Sequence, residues 1–207
     1  MRWGVHWRIS RDSLHERASL IYQLGSILPD WFERHPIHRR KESLMPFLRR
    51  TERVRSMTPG VRKDWHLGAL THYLCDYCCL AHNDEYYRFY RHRVYEVDAQ
   101  KYYKAVREQR KPRYVRGQLL FADKVRKRYP ALWNGTAAGE EFQRQLRQLV
   151  DETVDELHGR IRDLQSEKWW VDRRVAELDV RYSYRLIFVL LCILGDETLK
   201  KEAEQHG

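Results

Sequence analysis

The sequence predicts an all-α protein that forms a single multi-helix domain over residues 1–207. Apolar residues recur at helical spacing through most of the chain, and no run alternates between apolar and polar residues for long enough to indicate a strand. Capping residues and prolines also divide the chain into segments of helical length. A chain of 207 residues is long enough to bury one substantial core.

The first two helices are predicted from their ends. Ser13 and Glu16 fit a capping box, which would open a helix that Pro29 ends. Pro36 favours an irregular connection. A second helix is expected at about 39–55.

The middle of the chain contains the clearest start signal. Thr58 followed by Pro59 predicts an N-cap and a first helical residue, for a helix running to about Leu80. The next segment contains no helix breaker before Pro112 and predicts one long amphipathic helix.

The C-terminal half continues the helical pattern. A helix is expected at 114–128, then a loop at about 129–139, then helices at roughly 139–167 and 171–204. The apolar run LIFVLLCIL at 186–194 is too short for a membrane span of about 20 residues, so it predicts a buried helix.

Composition limits the function classes. A hydrophobic content of 43% with 33% charged residues is typical of a soluble globular protein, and the net charge of +10 suits a polyanionic partner. The N-terminal residues lack the apolar core of a signal peptide. Three of the four cysteines lie within 75–79, too close along a helix for a normal disulfide. A cytoplasmic location is therefore expected.

Histidines and carboxylates suggest a metal site. His72 and Asp76 are four residues apart, so both project from one face of a helix, and His92 and Glu96 repeat that spacing. His82 can face the same site only if the helix turns or ends near Leu80. Such pairs also occur as ordinary ion pairs, but two pairs on consecutive helices favour a shared ion.

The donor set indicates which metal to expect. Asp30 adds a carboxylate at a predicted helix end, beside further histidines. Imidazole and carboxylate donors without thiolate suit catalytic zinc, and also accommodate iron or manganese. The alternative is a structural zinc on Cys75, Cys79 and His82.

Four segments of the N-terminal half support a family assignment. They are WGVHWRI at 3–9, YQLGSILPDW at 22–31, HLGALTHYLCDYCCLAH at 66–82 and HRVYE at 92–96. Together they resemble the motifs of the zinc-dependent phospholipases C, a family that includes the clostridial alpha-toxins and shares a superfamily with single-strand-specific nucleases. The resemblance covers residues 3–96 and implies the all-α catalytic fold of that family.

The resemblance also implies sets of metal ligands. The first zinc would be held by Asp30, His38, His72 and Asp76, with His35 competing for the place of His38. The second would be held by His82, His92 and Glu96. A third would be held by His6, Asp76 and the N-terminal tryptophan of the family. Here Trp3 follows two other residues, so two ions are expected unless processing exposes it.

Three functions follow as hypotheses. The leading one is a zinc-dependent, phospholipase C-like hydrolase that cleaves a phosphodiester with metal-activated water, Asp30 doubling as ligand and general base. The second is a nuclease acting on single-stranded nucleic acid. The third is a non-catalytic, metal-stabilised helical module that binds anionic surfaces.

Overall fold

The computed structural model describes residues 3–13, 19–29, 40–82 and 89–206, with residues 3, 89, 98–115 and 206 described by their backbone alone. Within these ranges all regular secondary structure is helical. The predicted all-α class is confirmed.

The described residues of the N-terminal half form four α-helices and one 3-10 turn. These are α1 (Trp3–Ser13), α2 (Leu20–Gly25), α3 (Arg40–Arg55), α4 (Val61–Cys78) and the 3-10 turn Leu80–His82.

The C-terminal half begins with the longest described helix. Its elements are α5 (Phe89–Arg128), α6 (Pro130–Trp133), α7 (Gly139–Asp163), a 3-10 turn (Trp169–Val171), α8 (Arg173–Ile193) and α9 (Glu197–His206).

Helix α8 lies at the centre of the packing. It contacts α4, α5 and α7, and the N-terminal helix α1 packs against α4, α5 and α8. Every residue of the run 186–194 is buried, with at most 6% of its surface exposed, which confirms the interpretation of that run as a core helix. Burial of such side chains is the main stabilising contribution to a helical core.

Helices α2 and α4 are in backbone contact. A Cβ atom added to Gly68 would lie 2.1 Å from the carbonyl oxygen of Tyr22, and one added to Gly25 would lie 2.4 Å from that of Trp65. Only glycine at both positions permits this approach. The contact brings the end of α2 directly over the face of α4 that carries His72.

Two predicted helix starts are wrong. Ser13 ends α1, where its hydroxyl donates to the carbonyl oxygen of Ile9, and α2 begins instead after Ser19, whose side chain accepts from the Tyr22 N–H. Helix α4 begins at Val61, after Gly60 with φ of 152°, rather than at Pro59. A glycine in that conformation holds the preceding residues outside the helix.

Two predicted helix ends also differ from the structure. The backbone stays helical through Pro112, because a proline can be accommodated within a long helix at the loss of one backbone hydrogen bond. In the opposite sense, the predicted helix 171–204 is divided into α8 and α9 at Gly195, which has a φ of 91°. The prediction that the helix bearing His72 ends near Leu80 is confirmed, since α4 ends at Cys78.

None of the described helices is long and apolar enough to cross a membrane.

Candidate metal centre

The first cluster joins helices α1 and α4. His6 lies on the buried face of α1, and His72 and Asp76 lie one turn apart on α4. The Nε2 atom of His6 is 3.4 Å from Oδ1 of Asp76, and Nε2 of His72 is 3.3 Å from Oδ2. All three side chains are buried, and the two imidazole rings stack with centroids 4.2 Å apart.

A backbone carbonyl orients His72. Its Nδ1 atom is 2.9 Å from the carbonyl oxygen of Ser26, at the end of α2. Since a carbonyl oxygen only accepts, Nδ1 carries a proton and Nε2 is the nitrogen that faces the cluster. This is the usual arrangement that supports a metal-ligating histidine.

The second cluster joins the 3-10 turn to helix α5. Nε2 of His82 is 2.9 Å from Nε2 of His92, and Nε2 of His92 is 3.4 Å from Oε1 of Glu96. His92 and Glu96 are one helical turn apart on α5, as the sequence pattern predicts. The end of α4 at Cys78 allows the turn to bring His82 to them.

Asp76 connects the two clusters. Its Oδ1 atom lies 3.4 Å from Nδ1 of His82 as well as 3.4 Å from Nε2 of His6. Burial alone raises the pKa of Asp76, but the neighbouring His82 and His72 and the hydrogen bond from His6 hold its pKa well below the ordinary value. Asp76 is therefore an anion at the centre of a ring of imidazoles.

The imidazoles of two of these histidines are neutral at physiological pH. Burial, with repulsion from His72, lowers the pKa of His6 from 6.5 to about 4, and burial with the neighbouring His82 lowers that of His92 to about 4. Neutral imidazole is the form that ligates metals.

The donor geometry fits zinc. Within each cluster one ligand atom per residue lies within 4.8 Å of the others. Ligand atoms 2.0–2.1 Å from a tetrahedral zinc ion stand about 3.3 Å apart, close to the 3.3–3.4 Å nitrogen–oxygen distances here. These contacts are longer than the 2.7–2.9 Å typical of charge-assisted hydrogen bonds between ion-paired side chains.

The structure thus brings together six of the eight residues predicted as metal ligands: His6, His72, Asp76, His82, His92 and Glu96. His6 lies with the first cluster, beside His72 and Asp76. Asp30 and His38 fall outside the described residues, and so does the competing His35. Of Trp3 only the backbone is described.

The alternative structural zinc on cysteines is not supported. Neither cluster found among the described residues contains a thiol. Cys75 and Cys79 are fully buried, and burial raises the pKa of both thiols above the ordinary value, against the thiolate that zinc requires.

Sequence reasoning missed the residues that support the clusters. The Ser26 carbonyl is a backbone group and carries no signal in the sequence. Asp179 and Tyr95, which contact the chain beside the second cluster, lie at single positions in amphipathic helices far apart in sequence. The only feature of the sequence that could have identified Asp179 is its position as a carboxylate on the apolar face of a helix.

The fold and the two clusters define a class: an all-α protein with paired histidine–carboxylate sites suited to zinc. Residues 8–173 match the family model described as zinc dependent phospholipase C, and the chain belongs to that family. The resemblance predicted from the motifs is confirmed, and the match extends well beyond residue 96, where those motifs end. Comparison with curated proteins and with solved structures finds no significant match in either set.

Proposed function

We propose that the protein is a zinc-dependent hydrolase of the phospholipase C type, which cleaves the phosphodiester of a phospholipid into diacylglycerol and a phosphorylated head group. One observation carries the proposal: Asp76, an anionic carboxylate buried among three imidazoles, lies between two clusters whose donor atoms are spaced as zinc ligands are. Family membership supports the substrate class.

The described residues would hold two zinc ions. His6, His72 and Asp76 would contribute to one site, and His82, His92 and Glu96 to the other. When bound, zinc lowers the pKa of a coordinated water and polarises a phosphoryl oxygen. Asp30 and His38 are proposed to complete the first site, with Asp30 also accepting a proton from the attacking water, as the resemblance implies.

The chain's own groups prepare the site for this reaction. The Ser26 carbonyl accepts a hydrogen bond from Nδ1 of His72 and so orients Nε2 towards the first site. Nδ1 of His82 faces Asp76, which leaves Nε2 of His82 turned towards His92 in the second cluster. The net charge of +10 raises the local concentration of an anionic substrate.

The nuclease hypothesis has no support in the comparisons. A purely structural role for the metal predicts that the protein binds zinc but hydrolyses no substrate. One experiment tests both alternatives. Purified protein is loaded with zinc, its metal content is measured, and release of diacylglycerol from phospholipid vesicles is followed. A single-stranded oligonucleotide is included as a competitor in a parallel reaction.

The matched variants are His92→Asn and His158→Asn. Both histidines are buried, but His158 lies on α7 and belongs to neither cluster. We expect zinc-dependent hydrolysis in the wild type, near-complete loss in His92→Asn and retention in His158→Asn. Zinc binding without phospholipid or oligonucleotide hydrolysis would contradict the proposal, as would equal activity in the two variants.

A further inference from the structure

A second buried aspartate lies outside both clusters. Asp179 on helix α8 has 0% of its surface exposed. Its Oδ2 atom accepts a hydrogen bond from the backbone N–H of Leu80 at 3.0 Å and another from the hydroxyl of Tyr95. Asp179 falls after residue 173, where the match to the family model ends.

The two donors belong to the two segments that form the second cluster. Leu80 is the first residue of the 3-10 turn that contains His82. Tyr95 lies on α5, between His92 and Glu96 in the sequence. A single carboxylate oxygen therefore joins the turn to the helix. The distance between His82 and His92 depends on how these two segments sit against each other.

The environment of Asp179 is costly for a carboxylate. Burial raises its pKa to about 7, although the hydrogen bonds from Tyr95 and Leu80 oppose the rise. A carboxyl group is expensive to bury even when it is hydrogen-bonded, so packing alone does not explain an aspartate here. Buried polar groups of this kind can instead fix one arrangement of the chain segments around them.

We propose that Asp179 is a positioning residue for the second cluster, holding the turn with His82 and the helix with His92 and Glu96 at the spacing that zinc requires. Tyr95 contributes to the same positioning through its hydrogen bond to Asp179. The inference rests on the proposed metal-binding role of that cluster, and it assigns a role to two residues that are not proposed as ligands.

The decisive variant is Tyr95→Phe, with Tyr182→Phe as its matched control. Each removes one hydroxyl that donates to a carboxylate and leaves a buried ring in place: Tyr95 donates to Asp179, and Tyr182 on α8 donates to Glu156 at 2.6 Å. Only the first pair adjoins the second cluster.

The readout is zinc affinity, measured by competition with a chromogenic chelator. The binding step of the second cluster is identified as the one lost in His92→Asn. We expect Tyr95→Phe to weaken that step about 10-fold, as is usual when support of a ligand is removed, and to leave the other step unchanged. Tyr182→Phe should leave both steps unchanged while lowering the melting temperature to a similar extent.

Asp179 itself provides the rescue test. Asp179→Asn keeps an acceptor oxygen and should retain more affinity at the second cluster than Asp179→Ala. If Asp179→Ala does not fold, Tyr95→Phe and Asp179→Asn still decide the question. The proposal is overturned if Tyr95→Phe and Tyr182→Phe lower stability alike while both zinc affinities stay at the wild-type value.

Zinc binding and phospholipid hydrolysis by the wild type distinguish failure of the proposed function from failure of the role of Asp179. A wild-type protein that binds no zinc overturns the proposed function and this inference with it. A wild type that binds two zinc ions and hydrolyses phospholipid, with unchanged affinity in Tyr95→Phe, overturns the role of Asp179 alone.

Discussion

Substitution of Gly68 by alanine tests how the fold supports the first cluster. The new Cβ would lie 2.1 Å from the carbonyl oxygen of Tyr22 and 2.8 Å from the nitrogen of Ser26. Both are backbone atoms of the α2 segment, so no side chain can rotate away to relieve the clash. The α2 segment must therefore move as a unit.

The size of the movement follows from the contact distances. Ordinary contact begins at 3.4 Å, so the oxygen of Tyr22 must retreat by 3.4 − 2.1 = 1.3 Å. A similar shift of Ser26 would break the 2.9 Å hydrogen bond to Nδ1 of His72. Overpacking of this kind costs about 1–3 kcal/mol and the lost hydrogen bond about 1 kcal/mol. We expect the free energy of unfolding to fall by roughly 2–4 kcal/mol.

The assay is urea denaturation of the metal-free protein, followed by measurement of zinc affinity. The matched control is Gly159→Ala in the interior of helix α7, where the nearest atom to a new Cβ is the end of the Arg162 side chain at 3.9 Å. That substitution should stabilise the protein by about 0.5–1 kcal/mol, because alanine is the better helix former. Zinc affinity should fall about 10-fold in Gly68→Ala, since the carbonyl that orients His72 is displaced, and stay unchanged in the control.

The reasoning is refuted if both alanine variants raise the unfolding midpoint. That result would mean that α2 and α4 separate without cost and that the backbone contact does not hold the Ser26 carbonyl against His72. A destabilised Gly68→Ala with wild-type zinc affinity would refute the second half of the argument only.

Three further outcomes are expected. Asp76→Asn, which keeps the shape of the side chain but removes its charge, should lose at least one zinc by elemental analysis and nearly all phospholipid turnover; normal metal content with normal activity would contradict its central role. Chelation should lower the melting temperature, because zinc at a thousandfold excess over its dissociation constant stabilises the native state by about 4 kcal/mol; an unchanged melting curve would show that protein partners alone satisfy the clusters. Burial and the neighbouring Arg40 lower the pKa of His158 from 6.5 to about 4, so its neutral form contributes stability that is complete above pH 6.5 and is lost as the pH falls towards 4. The free energy of unfolding falls by about 3 kcal/mol at most over this pH range. His158→Asn should therefore show a flatter pH dependence of the unfolding free energy between pH 6.5 and 4. A variant with the wild-type slope would contradict this account of His158.

The sequence predicts the helical class and much of the site for the same physical reason. Helical periodicity places residues four apart on one face. The His72/Asp76 and His92/Glu96 pairs can therefore be predicted from their spacing in the sequence, without knowledge of the tertiary structure. The end of α4 near Leu80 was also predictable, because His82 is out of phase with the pair that precedes it.

Other features depend on backbone conformations or tertiary contacts that no local sequence pattern specifies. The start of α4 at Val61 rather than at Pro59 reflects the conformation of Gly60, and the passage of α5 through Pro112 has no signal in the adjoining residues. The approach of α2 to α4 is visible only when Gly25 and Gly68 are placed in space. The membership of His6 in the first cluster was implied by the family resemblance, not by its spacing.

The two buried aspartates show how neighbours assign different roles to one residue type. Asp76 lies among His6, His72 and His82, which favour its charged form and hold its pKa well below the ordinary value, so it can offset the charge of cations. Asp179 accepts hydrogen bonds from a tyrosine hydroxyl and a backbone amide, and burial raises its pKa to about 7. Both sit on the buried faces of helices. The two aspartates differ in the groups that the fold places against their carboxylate oxygens. Those neighbours make Asp76 a proposed zinc ligand and Asp179 a residue proposed to position the ligands of the second cluster.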